Sequence, residues 1–142
     1  MSQTISGGIY VDDPWLSIRV DAGRECVYAD WKGFASTIEF RASTLRLMQA
    51  IKETNATSTI NDTRNLDLVS HEDQLWLRDT WVPLAESSSL QRIAVVVALG
   101  GLAKFGVETI IRIVGGKTRL DVRLFNSMED ATAWVDKRKS EG

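Results

Sequence analysis

The stretch Ile93-Ala94-Val95-Val96-Val97-Ala98-Leu99 constrains the fold more than any other part of the chain. It shows no alternation of apolar and polar residues, and β-branched side chains dominate it. The strand it predicts, Arg92 to Leu99, must therefore be covered on both faces, as in a sheet flanked by helices. Extended through the Gly100-Gly101 pair to Ala103, the apolar run from Ile93 has eleven residues. A membrane-spanning helix needs about 20. The run reads as a strand covered on both faces, with no membrane span.

The flanking segments alternate in type. Leu16, Ile18 and Val20 alternate with Ser17 and Arg19, the pattern of a half-buried strand. Asp21-Ala22-Gly23-Arg24 then reads as a hairpin turn with Gly23 in the left-handed position. The returning strand, Glu25 to Trp31, places Val27, Ala29 and Trp31 on one face, and a short strand at Ile9 to Val11 precedes the hairpin. Ser36 and Glu39 have capping-box spacing. The helix they open carries Ile38, Ala42, Leu45, Met48 and Ile51 as an inward stripe and stops at Asn55.

Thr57 to Asp62 reads as a short strand and Thr63 to Val69 as a polar loop. Ser70 with Asp73 starts a second helix, with Leu77, Trp81 and Leu84 inward and Pro83 kinking or ending it. After the apolar strand, a third helix places Leu102, Phe105, Thr109 and Ile113 on one side and ends at Gly115-Gly116. Arg119 to Phe125 alternates, with Leu120, Val122 and Leu124 inward. Ser127 caps a last helix bearing Met128, Ala131, Trp134 and Val135.

The expectation is an α/β fold in one domain, residues 9–136. A mixed sheet opens with an N-terminal hairpin and continues as alternating helices and strands joined by right-handed crossovers. Residues 1–8 form a loose lead-in and 137–142 a charged tail that frays.

Composition removes much chemistry. Seventeen Lys and Arg against nineteen Asp and Glu give a net charge of -2, which argues against a nucleic-acid partner. His71 and Cys26 are single, so a zinc site, an internal disulfide and an oxidising compartment find no support. The acidic pairs Asp12-Asp13 and Glu72-Asp73 read as turn and helix-start residues, so no metal and no cofactor is expected. The start MSQTISGGIYVDD has neither the basic nor the apolar region of a signal peptide, and a cytoplasmic location is expected.

Two phosphate-loop lookalikes fail. Gly101 and Gly106 follow a strand, but Val107-Glu108 stands where Lys and a hydroxyl are needed. Gly116-Lys117-Thr118 lies between a helix and a strand, in the wrong order. Ser70-His71 is the one coincidence of hydroxyl and imidazole, and adjacent helical residues do not face each other. No catalytic residue is assigned.

Five tryptophans in so short a chain invite a ligand reading. Trp31 and Trp134 sit on apolar stripes and read as core. Trp76 and Trp81 are five residues apart, about 140° around an α-helix, so Trp81 turns inward and Trp76 stays partly exposed. Trp15, directly after Pro14, and Trp76 are left as candidate ligand contacts.

Arg92-Ile93-Ala94-Val95-Val96-Val97, Trp81-Val82-Pro83, and the ending Arg123-Leu124-Phe125-Asn126-Ser127-Met128-Glu129-Asp130-Ala131 to Trp134-Val135 carry a family resemblance. Over residues 9–136 the chain resembles the STAS superfamily (sulfate transporter and anti-sigma-factor antagonist). Within it, the SpoIIAA-like or STAS/SEC14 group of small bacterial proteins is nearest. The resemblance implies a non-enzymatic regulatory module that binds a protein partner, and it leaves homo-oligomerisation open.

In anti-sigma antagonists a D-S-S-G loop at the second helix carries the phosphorylated serine. Ser70 is the matching hydroxyl here, but Val69 replaces the Asp and no Gly follows. Glu72 and Asp73 would also repel an added phosphate. Thr63 is a second candidate phosphoacceptor or partner contact. The SEC14-like side of the group implies the alternative, a carrier of a small apolar molecule or lipid. A sealed core beside the second helix favours a partner; an apolar cavity there favours the carrier.

Overall fold

The computed structural model describes residues 8–33, 36–67, 69–98, 112 and 118–141. Six strands form one mixed sheet in chain order: β1 (Gly8–Asp12), β2 (Leu16–Asp21), β3 (Cys26–Gly33), β4 (Ser58–Leu66), β5 (Arg92–Val96) and β6 (Asp121–Phe125). The first three pair antiparallel and the last four parallel. Helix α1 (Thr37–Thr54) joins β3 to β4. Between β4 and β5 come α2 (His71–Trp76), a π-helical turn (Leu77–Trp81) and α3 (Val82–Glu86), and α4 (Met128–Glu141) follows β6.

All five residues of β5 are buried, as an uninterrupted apolar strand requires. One face of the sheet, with Leu16, Ile18, Val27, Trp31, Ile93 and Val95, packs under α1 and under Trp81, Val82 and Ala85. The other face, with Cys26, Tyr28, Ile60, Ala94 and Val96, is closed by Ala131 and Val135 of α4. At the end of that second core Trp134 lies half-buried between two guanidinium groups, Arg92 at 4.2 Å and Arg123 at 5.2 Å. Buried Arg92 stacks on this ring and donates to the Trp134 carbonyl at 2.8 Å.

The caps are those expected. Ser36 and Glu39 complete a capping box, and Asn55 ends α1 in the left-handed conformation at φ 54°. Ser70 and Ser127 accept the N–H of Asp73 and Asp130.

Five features differ from the sequence expectation. In the hairpin the left-handed residue is Glu25 (φ 57°), and Gly23 has no positive φ. Four residues, Ala22 to Glu25, separate the last pair of the ladder, Asp21 and Cys26. The turn closes by Glu25 N–H to the Ala22 carbonyl, so the reversal into β3 falls on the last loop residue. Helix α1 buries Phe40, Thr44, Leu47, Met48 and Ile51, while Ile38 is 82% and Leu45 43% exposed and Ala42 also faces out. This helix carries two apolar stripes, and the sheet takes the one with the larger ring and the small hydroxyls that permit close approach.

Strand β4 runs to Leu66, so Thr63 is a strand residue. After a bulge the pairing resumes at Lys32–Asn65 and Gly33–Leu66, which satisfies the backbone of a polar stretch that otherwise reads as loop. Pro83 does not end the helical stretch, which continues to Glu86. The wide turn Leu77–Trp81 precedes it, with Val82 N–H bonding five residues back to Leu77, where an α turn would drive the proline ring into a carbonyl. Helix α4 continues through the residues expected to fray, to Glu141. The expected third helix and both glycine-loop lookalikes fall mainly outside the described residues.

Candidate functional site

The site is an apolar cavity of about 120 Å³ on the α1 side of the sheet. Trp31 of β3, Asn61 and Thr63 of β4, and Ile93 and Val95 of β5 form its floor. Leu120 and Val122 close the β6 side. Phe40, Thr44 and Leu47 of α1 face them, and Leu77, Trp81 and Val82 make the wall at the π turn. Leu66 and Val69 complete the lining where the chain leaves β4. The Trp31 and Phe40 rings lie 5.6 Å apart, tilted by 39°.

Each polar side chain among the described lining residues has a protein partner. Trp31 Nε1 donates to Asn61 Oδ1 at 3.2 Å, and Trp81 Nε1 donates to the Thr44 carbonyl at 2.8 Å. The Thr44 hydroxyl donates to the Arg41 carbonyl at 2.8 Å, and the Thr63 hydroxyl to the Val96 carbonyl at 2.9 Å. No charged side chain is among the described lining residues.

One end of this wall is fastened by a buried carboxylate. Asp73, in the first turn of α2, accepts from Arg41 Nε at 2.9 Å and from the Thr37 hydroxyl at 3.2 Å. The α2 helix start is thereby tied to the α1 start, and Arg41 also lies over the Trp76 ring at 5.4 Å. At the other end Arg119 Nη2 and Nε reach the Glu86 carbonyl at 2.7 and 3.1 Å. Its guanidinium also bonds the carbonyls of Leu90 and Ser88, capping α3 with a cation.

The sequence candidates separate in space. Ser70 is the exposed N-cap of α2. Thr63 is 7% exposed, with its hydroxyl already bonded, and it lines the cavity. Trp15 sits half-buried in the β1–β2 connection, its N–H on Asp13 Oδ1 at 3.0 Å, and Trp76 stacks beside Arg41. Neither lines the cavity; Trp31 and Trp81, which read as core from the sequence, do. The signal that would have found them is the parallel register that sets Asn61 and Thr63 beside Trp31, and it is not local in sequence.

On the opposite face, burial pushes the Cys26 thiol up to about 11, with a hydrogen bond to Ser58 acting the other way. Burial likewise raises Tyr28. Such a thiol is inert as a nucleophile near neutral pH. Among the described residues no three His, Cys, Asp or Glu side chains form a group able to hold a metal ion. Nor is any described helix long and apolar enough to cross a membrane.

The sequence matches no family model and no curated protein. Among solved structures the chain is similar to an uncharacterized protein of the DUF3478 family, with a SpoIIAA-like fold, from Shewanella loihica PV-4. The two share 20% identity, the match covers 95% of this chain and 98% of that one, and the TM-score is 0.51. This chain has a SpoIIAA-like fold. The resemblance read from Arg92 to Val97 and from the closing segment is thus upheld at the level of architecture. In this SpoIIAA-like domain the cavity lies between the parallel strands and the described helical segments that cross over them.

Proposed function

We propose that this SpoIIAA-like domain is a non-enzymatic binding module that takes a small apolar ligand into the cavity between the sheet and the π turn. The observation that carries the reading is the cavity itself, apolar and walled by Trp31, Phe40 and Trp81. The described lining offers water no unpaired polar side chain, so an apolar guest displaces weakly held water. Native mass spectrometry of the purified protein tests it, together with tryptophan emission in hexane-saturated buffer. A bound mass lost on denaturation, or an emission change on adding hexane, is expected. A bare protein mass combined with unresponsive emission overturns the reading.

A second reading, protein-partner binding, is supported by the outward stripe of Ile38, Ala42 and Leu45 on α1. This stripe begins beside the α2 start that carries Ser70, to which it is linked by Thr37 and Asp73. If Ser70 switches a partner, Ser70→Glu changes what the protein captures from lysate. Equal recovery by wild type and variant removes the switch.

A further inference from the structure

Resting on the partner-binding reading, we infer that the partner on the outer face of α1 is a second copy of this chain, packed helix against antiparallel helix. The stripe has the spacing that such packing needs. Ile38, Ala42, Leu45 and Gln49 stand four, three and four residues apart, the seam of a two-stranded coil. All four are exposed, Ile38 by 82%. Helix α1 already buries its other stripe, from Phe40 to Ile51, so the sheet makes no use of this one. One apolar side chain at a surface is ordinary, whereas a row at heptad spacing with its largest member most exposed marks a contact face.

Charge selects the occupant and its direction. Glu39 and Arg46 flank the seam on one side, a heptad apart and opposite in sign. An antiparallel pair with its two-fold axis between Ala42 and Leu45 brings Glu39 of each copy to Arg46 of the other, twice over. In that register Ala42 of each copy faces Leu45 of the other, small against large, and Ile38 lies on the methylenes of Gln49. Both charged groups keep bonding capacity. Glu39 Oε1 accepts from the Ser36 N–H at 3.1 Å and Arg46 Nη1 donates to Asp13 at 2.8 Å, while a carboxylate has a second oxygen and a guanidinium further N–H groups. A seam this short buries less than the roughly 800 Å² per partner of a standard interface. The dimer is therefore reversible, with a dissociation constant on the order of 100 μM.

Sedimentation equilibrium of the purified protein tests the pairing. The average mass is expected to rise from near the monomer's 15.8 kDa at about 10 μM to about 1.8 times that at about 1 mM. Ile38→Asp is expected to weaken association at least about tenfold with the fold intact, since an acidic residue in the first turn suits the helix. Glu39→Arg and Arg46→Glu are each expected to weaken it about fivefold, and an equimolar mixture of the two to recover it, because the mixed pair restores both contacts. Should Glu39→Arg fail to fold for want of its cap, Leu45→Asp takes its place at the seam centre, away from either end of α1, and is expected to stay monomeric.

A wild type that remains monomeric to about 1 mM overturns the self-pairing, as does a folded Ile38→Asp or Leu45→Asp variant that associates as wild type does. A charge-swapped mixture that associates no better than its components overturns the antiparallel register. The wider partner reading then survives if immobilised wild type retains a different protein from lysate that Ile38→Asp loses. Identical retention by the two overturns that reading as well.

Discussion

The indole N–H of Trp81 donates to the backbone carbonyl of Thr44 across 2.8 Å, and this bond pins the π turn to α1 at the cavity wall. Trp81 is 8% exposed, so the bond is shielded from water. Trp81→Phe removes the donor together with the fused five-membered ring, at an expected cost of about 2 kcal/mol. Trp81→Ala removes packing as well and costs about 3–5 kcal/mol. Urea unfolding measures both, and a phenylalanine variant as stable as wild type would show that the bond is dispensable.

Asp73 and Arg41 hold the starts of α1 and α2 together, with the carboxylate side chain 6% and the guanidinium 34% exposed. Breaking a fully buried pair costs about 3–5 kcal/mol; the partial exposure of Arg41 lowers the expectation for Asp73→Ala to about 1–3 kcal/mol. The double variant with Arg41→Met should cost less than the sum of the two single changes by at least about 0.5 kcal/mol. Strict additivity in thermal or chemical unfolding would contradict the coupling.

Cys26 gives a pH dependence whose sign follows from burial. The unfolded thiol ionises near its ordinary value of 9 and the folded one at about 11. Between those values the unfolded chain has lost a proton that the native state keeps. Stability that is fully present below pH 9 therefore declines as pH rises towards 11, by about 2–3 kcal/mol in total. Unfolding midpoints measured from pH 8 to 11 should fall, and Cys26→Ala should flatten the slope in part, since Tyr28 is raised in the same sense. A thiol reagent at pH 8 should label the protein only after unfolding.

Arg119 bonds several carbonyls at and beyond the end of α3. Arg119→Met should cost about 1–3 kcal/mol, and Arg119→Lys should not restore it, because one ammonium cannot span the fork. Hydrogen exchange at Ser87 and Ser88, whose N–H groups bond to Pro83 and Ala85, should accelerate in both variants. Unchanged protection there would mean that α3 needs no cationic cap.

Local chemistry made most of the fold legible. The Ser36–Glu39 box, the αL stop at Asn55 and the hydroxyl caps at Ser70 and Ser127 each depend on residues within one turn. The unbroken apolar stretch from Ile93 announced a strand covered twice. What stayed hidden depends on distant partners. Either stripe of α1 satisfies helical periodicity, and only the sheet beneath chooses between Ile38 and Phe40. The length of β4 is set by Lys32 and Gly33, more than thirty positions earlier. Arithmetic at 3.6 residues per turn cannot place Trp76 relative to Trp81, because a π turn intervenes. The cavity needs all three of these answers together, so Trp31 and Trp81 read from the sequence as ordinary core.

The two faces of the sheet are completed at different moments of synthesis. The face under α1 receives its first cover as soon as residues 37–54 have emerged, whereas Cys26, Tyr28, Ile60, Ala94 and Val96 wait for Ala131 and Val135. A nascent or truncated chain that stops short of α4 presents that second face as a sticky apolar plane, the kind of surface that drives aggregation before folding is finished. Until residues 128–135 leave the ribosome, the strand that most constrains this fold has one side bare.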